Sequence, residues 1–445
     1  MKHRGRHRRR RRGRALRATL AGTALALTAA ATLISASQAT VGGNPGALKP
    51  LTSSADLGRL RLTEQQVPRR WLDRLAAGMG RPVGVAAVLD GTDRALRGAA
   101  QCTAGERRAL PVEPPAARAY CWDPADAATS RWEPESVTTS GDADDDGRWG
   151  PHRVILSGWT RTGGPAADRG LARVAFVDDD DPRHPSYTWA LLAVPVDGGR
   201  DFRGLRSRVS GMVWYQDKLL VTASGADGAA LYVYDLHRIQ RATVAGDAVG
   251  RVPGGWSAHG YRWVLPAVAA YRPAAGSCGR EPAAGTPCPD GLSLDRGTAP
   301  DSLVASVSGA AGSGRHTRLW RYPFSRDPAR SGLLAVDAAG TAPAVEAYES
   351  RADGVRGVLS YRAAPSARPE WYLGRAPGGA DGHGTLWRQD VRGAQAATCG
   401  EAASHRCWGD GTGSLSYWQQ TGEVWSLSGR TLFALPLAAV DRSLR

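Results

Sequence analysis

The densest set of potential metal ligands in the sequence is Asp142, Asp144 and Asp146 followed by Gly147, which matches the first half of a D-x-D-x-D-G calcium loop. Alternating carboxylates ahead of a glycine turn let several hard oxygens converge on one Ca²⁺ at about 2.4 Å. The second half of the loop departs from the pattern, with Gly150 at the ninth position and Arg153 at the twelfth, where a bidentate Glu is wanted. Calcium binding here therefore requires distant carboxylates, and the run Asp178, Asp179, Asp180, Asp181 is the expected donor. The alternative is a solvated acidic turn. Histidines are scattered, and none has the spacing of a zinc or iron site; His184 beside the aspartate run and His259 before Gly260 are the two worth following. Ser313 lies in a glycine-rich stretch without the strand-to-helix setting of a nucleophile turn. No P-loop or dinucleotide fingerprint is present, which argues against nucleotide chemistry. Trp 15 and Tyr 12 against Phe 4 suit a sugar- or protein-binding rim, but most of these rings sit within apolar runs, where packing is the simpler role.

These residues need a scaffold, and the sequence writes one as short apolar runs separated by Gly, Asp, Pro and Ser, the signature of strands and turns. One phrase recurs, a small residue followed by an apolar run and an aromatic, as in Gly211 to Tyr215, Gly357 to Tyr361 and Gly413 to Trp418. With Ile155, Gly211, Ser302, Gly357 and Gly413 as marks, the steps are 56, 91, 55 and 56 residues. A second phrase of alternating large apolar residues follows, at Thr188 to Val196, Leu231 to Leu236, Leu319 to Phe324, Leu386 to Val391 and Leu432 to Leu437, and reads as outer strands. Repeats of this length built from several strands predict an all-β fold, a β-propeller of five blades, or six if the long step hides one. A β-sandwich with irregular spacing is the alternative. The strand-like segment Pro82 to Leu89 is expected to close the ring by pairing into the last blade. Ahead of it, residues 40–81 read as a loose arm carrying a short helix, with Thr63, Glu64, Gln65 and Gln66 as a capping box or Pro68 as the start. Residues 82–445 make up the expected propeller domain.

Composition places the chain in the cell. There are 57 Lys+Arg against 42 Asp+Glu, a net charge of +15. Ten of the cations fall in the first 17 residues, so the remainder carries 47 against 42, a net of +5 that needs no nucleic acid to explain it. The basic segment leads into an uncharged Ala/Leu/Thr run from Ala18 to Ile34 and small residues up to Ala39, which predicts a signal peptide over residues 1–39; an uncleaved anchor is the alternative. No cysteine follows the apolar run, so no lipoprotein anchor is expected. The six cysteines form three close neighbours in Gly/Ala/Pro-rich stretches, predicting bridges Cys102–Cys121, Cys278–Cys288 and Cys399–Cys407 that staple loops in an oxidising compartment. No short C-x-x-C knuckle points to zinc.

The stretch Glu135 to Gly147, the strand Arg173 to Asp178, the segment Gly211 to Leu236 and Tyr261 to Pro266 together resemble a family of secreted, propeller-like actinobacterial proteins without an assigned activity. The resemblance spans roughly residues 130–437 and implies fold and export, with no catalytic residue to carry over. The expectation is a secreted, monomeric, non-catalytic propeller that binds an extracellular protein or carbohydrate, with no nucleic-acid partner and no membrane association after cleavage. The alternative is an extracellular polysaccharide hydrolase with carboxylates in the axial channel, supported by calcium; calcium is the one cofactor considered.

Overall fold

In the computed structural model the apolar runs are strands, and their burial explains their composition. Every residue of Val154–Arg161 is buried, as is every residue of Met212–Tyr215. A sheet packed between neighbours on both faces has no side for water, so its strands read as continuous apolar runs with few polar alternations. The structure describes residues 43–223, 228–274, 276, 287–364, 366–377, 382–411 and 413–444. Residues Ala47–Arg445 cluster as one unit. In the preceding unit only Gly43–Gly46 are described, a short turn in which the Gly46 amide donates to Asn44 Oδ1.

Among the described residues, strand pairing contains five antiparallel groups of four strands, some with further strands added at their edges, the pattern of a β-propeller. The first is Trp132–Thr139, Val154–Arg161, Ala172–Asp178 and Ser186–Val196. In the second, Met212–Tyr215, Lys218–Thr222 and Leu231–Asp235 are followed by the later part of the long strand Trp263–Pro273. The early part of that strand runs parallel to Ser186–Val196 and joins the two groups. The third contains Gly291–Asp295, Ser302–Val307, Thr317–Pro323 and Glu346–Ser350. The fourth contains Val355–Tyr361, Glu370–Arg375, Thr385–Gln389 and Ala394–Ala396. The fifth has Leu415–Trp418, Glu423–Ser428 and Thr431–Pro436, and takes its fourth strand, Arg118–Cys121, from far earlier in the chain, with Arg97–Gly98 paired on its outer side. The first strands of the five groups neighbour one another in a closed cycle around an axis.

Several expectations change. The regular step of 55 or 56 residues mixed two kinds of strand: Gly211 and Gly413 precede inner strands and Gly357 lies within one, whereas Ile155 and Ser302 lie on second strands. The inner strand of the third group is Gly291–Asp295, and the long step is filled by the hairpin Val249–Val252 with Gly255–Ala258 and by the strand Trp263–Pro273. Of the segments read as outer strands, only Ser186–Val196 is a fourth strand; the other four are third strands. Ring closure falls to Arg118–Cys121, because Val85–Leu89 is a helix that buries Val85, Val88 and Leu89 on one face. A short apolar run cannot distinguish the two by pattern. The supposed capping box is instead the strand Leu62–Gln66, drawn into extended form by the free edge of the second group. The helix begins after Pro68 and runs Arg69–Met79, with Leu72, Leu75 and Met79 buried. The arm is not loose: Lys49–Pro50 pairs with the outer strand of the third group. Both strands cover edges that would otherwise offer unpaired backbone.

The bridges Cys102–Cys121 and Cys399–Cys407 are formed. Cys288 is disulfide-bonded, while Cys278 lies outside the described residues, as does the predicted leader. Among the described residues no helix is long and apolar enough to cross a membrane.

Candidate functional site

Inner strands converge at the axis, and the loops that follow them enclose a cavity of about 510 Å³. Four of the five groups contribute: Asp142 after the first, Asp295 and Arg296 from the third, Tyr361 and Arg362 from the fourth, and Tyr417 from the fifth. The chain bends into one helical turn, Ser140–Ala143, as the first inner strand ends, and this turn carries Asp142 to the cavity wall. Asp142 is almost wholly buried; Thr138 Oγ1 and Ser416 Oγ each donate to its Oδ2 at 2.7 Å. Burial pushes its carboxyl up to about 6, with the two hydroxyl donors pulling the other way.

Asp295 is fixed by contacts at both carboxylate oxygens. Its Oδ1 accepts the Gly297 amide at 2.7 Å, and its Oδ2 pairs with Arg321 Nη1, both side chains being 1% exposed. Arg321 also donates from Nη2 to Ser360 Oγ at 2.6 Å and reaches Glu346 from Nε at 2.9 Å. Such a pair is retained because each charge compensates the other out of water, so losing one partner would strand the second. Arg296 pairs with Asp145 and Asp301 through Nη1 and donates from Nη2 to the Asp142 carbonyl at 2.9 Å. The Tyr361 and Tyr417 rings meet edge to face, 5.2 Å between centroids, and burial together with Tyr361 pushes the Tyr417 hydroxyl up to about 12. Arg362 lines the cavity with its methylenes against Gly297 and donates from Nη1 to the Ala367 carbonyl at 3.3 Å.

Of the acidic loop only Asp142 belongs to this cavity. Asp144 accepts the Asp145 amide and Asp146 the Arg148 amide, both as exposed turn residues. The three carboxylates are thus committed to three separate sets of donors. The aspartate run does not reach them either: Asp179 is buried against Tyr120 at 2.7 Å, Asp180 accepts the Arg153 amide, and Asp181 contacts His184. Among the described residues the one group of three metal-ligating side chains with converging atoms is Cys102, Glu106 and Cys121, two of which form a disulfide. His259 sits between the Asp247 carbonyl and Arg161, away from the cavity, and His184 is exposed.

Asp295, Tyr361, Arg362 and Tyr417 were not singled out as site residues by sequence. One signal was available for two of them. Leu359, Ser360, Tyr361 and Leu415, Ser416, Tyr417 repeat a Leu-Ser-Tyr ending on two inner strands, and the serines bind Arg321 and Asp142 respectively. For Asp295 and Arg362 no local pattern exists, because their neighbours in the cavity come from other groups.

No protein-family model matches the sequence, and no curated protein matches it. Among solved structures it is similar to a gluconolactonase from Xanthomonas campestris, with 13% identity, 80% of this chain and 98% of the other covered, and a TM-score of 0.27. Drosophila Plexin A, in a complex with Semaphorin 1b, is 10% identical over 65% of this chain and 72% of its own, with a TM-score of 0.25. The extracellular domains 1-2 of Drosophila Semaphorin 1b are 9% identical over 68% and 78%, with a TM-score of 0.24. At such scores the architecture rests on the strand pairing alone.

Proposed function

We propose that this protein is an extracellular, non-catalytic binding module whose ligand is a small polar molecule or the end of a carbohydrate chain, held in the axial cavity. The observation that carries this reading is the cavity's lining: a half-buried tyrosine pair beside fixed charged and hydroxyl groups, assembled from four separate groups of strands. Rigid strands fix those side chains in advance, which lowers the cost of ordering them on binding. Two formed disulfides support residence in an oxidising compartment.

A carboxylate-based hydrolase is the competing reading, favoured by the buried Asp142, whose carboxyl titrates near 6 and so could hold a proton for transfer. It is weakened by Asp295, the other carboxylate in the wall, which is consumed by Arg321 and the Gly297 amide. Calorimetric titration of the disulfide-bonded protein with a panel of oligosaccharides, alongside a reducing-end release assay, separates them. Binding that Tyr361→Ala weakens about tenfold or more, with no product released, supports the module. Turnover abolished by Asp142→Asn would overturn it.

A further inference from the structure

Within this binding reading, on which the inference rests, we propose that the axial cavity selects a saccharide bearing a carboxylate, a uronic-acid residue, and that Arg362 is the group that pairs with it. The case comes from counting which hydrogen-bonding valences in the wall are already used. The wall's two carboxylates already have partners: Asp142 Oδ2 takes two hydroxyls, and Asp295 takes the Gly297 amide at Oδ1 and faces the Arg321 charge at Oδ2. Arg362 has no such partner. Arg362 Nε is buried without an acceptor, and among the described residues no carboxylate lies within 4.0 Å of its guanidinium. Its Nη1 makes only a 3.3 Å bond to a backbone carbonyl.

Arg296 is the second guanidinium in the wall. Its side chain is 10% exposed, and its Nε is likewise buried without a partner although its other nitrogens are engaged. A guanidinium in the wall without a carboxylate partner is complementary to a ligand that accepts. Sugar hydroxyls both donate and accept, whereas a carboxylate only accepts, and its two oxygens match the fork of a guanidinium. Tyr361 and Tyr417 offer a ring face with a polar edge to the sugar itself, the combination an acidic small molecule without a ring would leave unused.

The full-length, disulfide-bonded protein is titrated calorimetrically with oligogalacturonate, with oligogalactose of the same length, with oligoglutamate and with sodium acetate. Oligogalacturonate is expected to bind about tenfold or more tightly than oligogalactose, the scale of one charge-assisted pair. Arg362→Gln should bring the two saccharides to equal affinity while keeping the melting temperature, and Arg362→Lys should restore part of the preference. Equal binding of both saccharides to the parent protein overturns the inference and leaves the binding reading standing. A preference that survives Arg362→Gln overturns the assignment of Arg362. Oligoglutamate or acetate binding as well as oligogalacturonate overturns the saccharide. Binding of none of the four overturns the binding reading together with the inference.

Discussion

Asp142 shows how a residue can be conspicuous in a sequence for one chemistry and be placed by the fold for another. As part of an acidic loop it belongs with Asp144 and Asp146, but Thr138 and Ser416 draw it into the axis, where burial raises its carboxyl from 3.8 to about 6. The folded protein therefore holds this proton more tightly than the unfolded chain, so Asp142 favours folding fully below about pH 4 and progressively less as pH rises through 6. Relative to the parent, Asp142→Asn should gain up to about 3 kcal/mol of stability on going from pH 4 to pH 7, from a shift of roughly two pH units. Urea melts of both proteins at the two pH values check this; parallel changes would show that the carboxyl does not titrate in that window. The tryptophans follow the blander sequence expectation. Trp122, Trp159 and Trp189 pack on one another at 5.1–5.6 Å, and the Arg173 guanidinium lies 3.5 Å from the Trp189 ring centroid, so these rings build the core of the first group and no ligand surface.

Among the elements, the strand Arg118–Cys121 has the largest consequence. It joins the fifth group across most of the chain's length, with Arg118 paired to Glu423 and Tyr120 donating to Asp179 of the first group. The Cys102–Cys121 bridge ties this strand to the short 3-10 turn Ala99–Gln101 preceding it. A loop with a sequence separation of 19 is worth about 3 kcal/mol by the chain-entropy argument, and one of 8 is worth roughly 2.5 kcal/mol. Replacing Cys102 and Cys121 by Ala should therefore lower the melting temperature more than replacing Cys399 and Cys407, and limited proteolysis should cut first within residues 90–117. Equal melting temperatures for the two double variants would separate the bridge from ring closure. Strand existence was legible here because apolar runs buried on both faces advertise themselves. Strand partnership was not: Leu62–Gln66 is polar and reads as a helix start, and it becomes a strand because a sheet edge is available.

At the scale of the whole molecule, the repeated small residue ahead of each apolar run acquires its reason. A Cβ on Gly211 would stand 2.6 Å from the Leu292 amide, and one on Gly357 would stand 2.5 Å from the Gly413 carbonyl. Inner strands approach so closely at the axis that backbone occupies the place of a side chain. Gly357→Ala should cost about 3 kcal/mol or more, since backbone on both sides must move, whereas Gly393→Ala, with open space around it, should be near neutral. Denaturant melts compare them directly, and equal stability would mean that the inner strands can separate freely. The sequence by itself determined the secondary-structure class, the repeated meander and the two described disulfide pairings, because apolar runs, turn residues and close cysteines are local features. Tertiary structure decided which segment closes the ring, which strands are innermost and which side chains share the cavity. Asp142, Asp295, Arg362 and Tyr417 come from four groups of strands spread over most of the chain, and only the closure of the ring makes them neighbours.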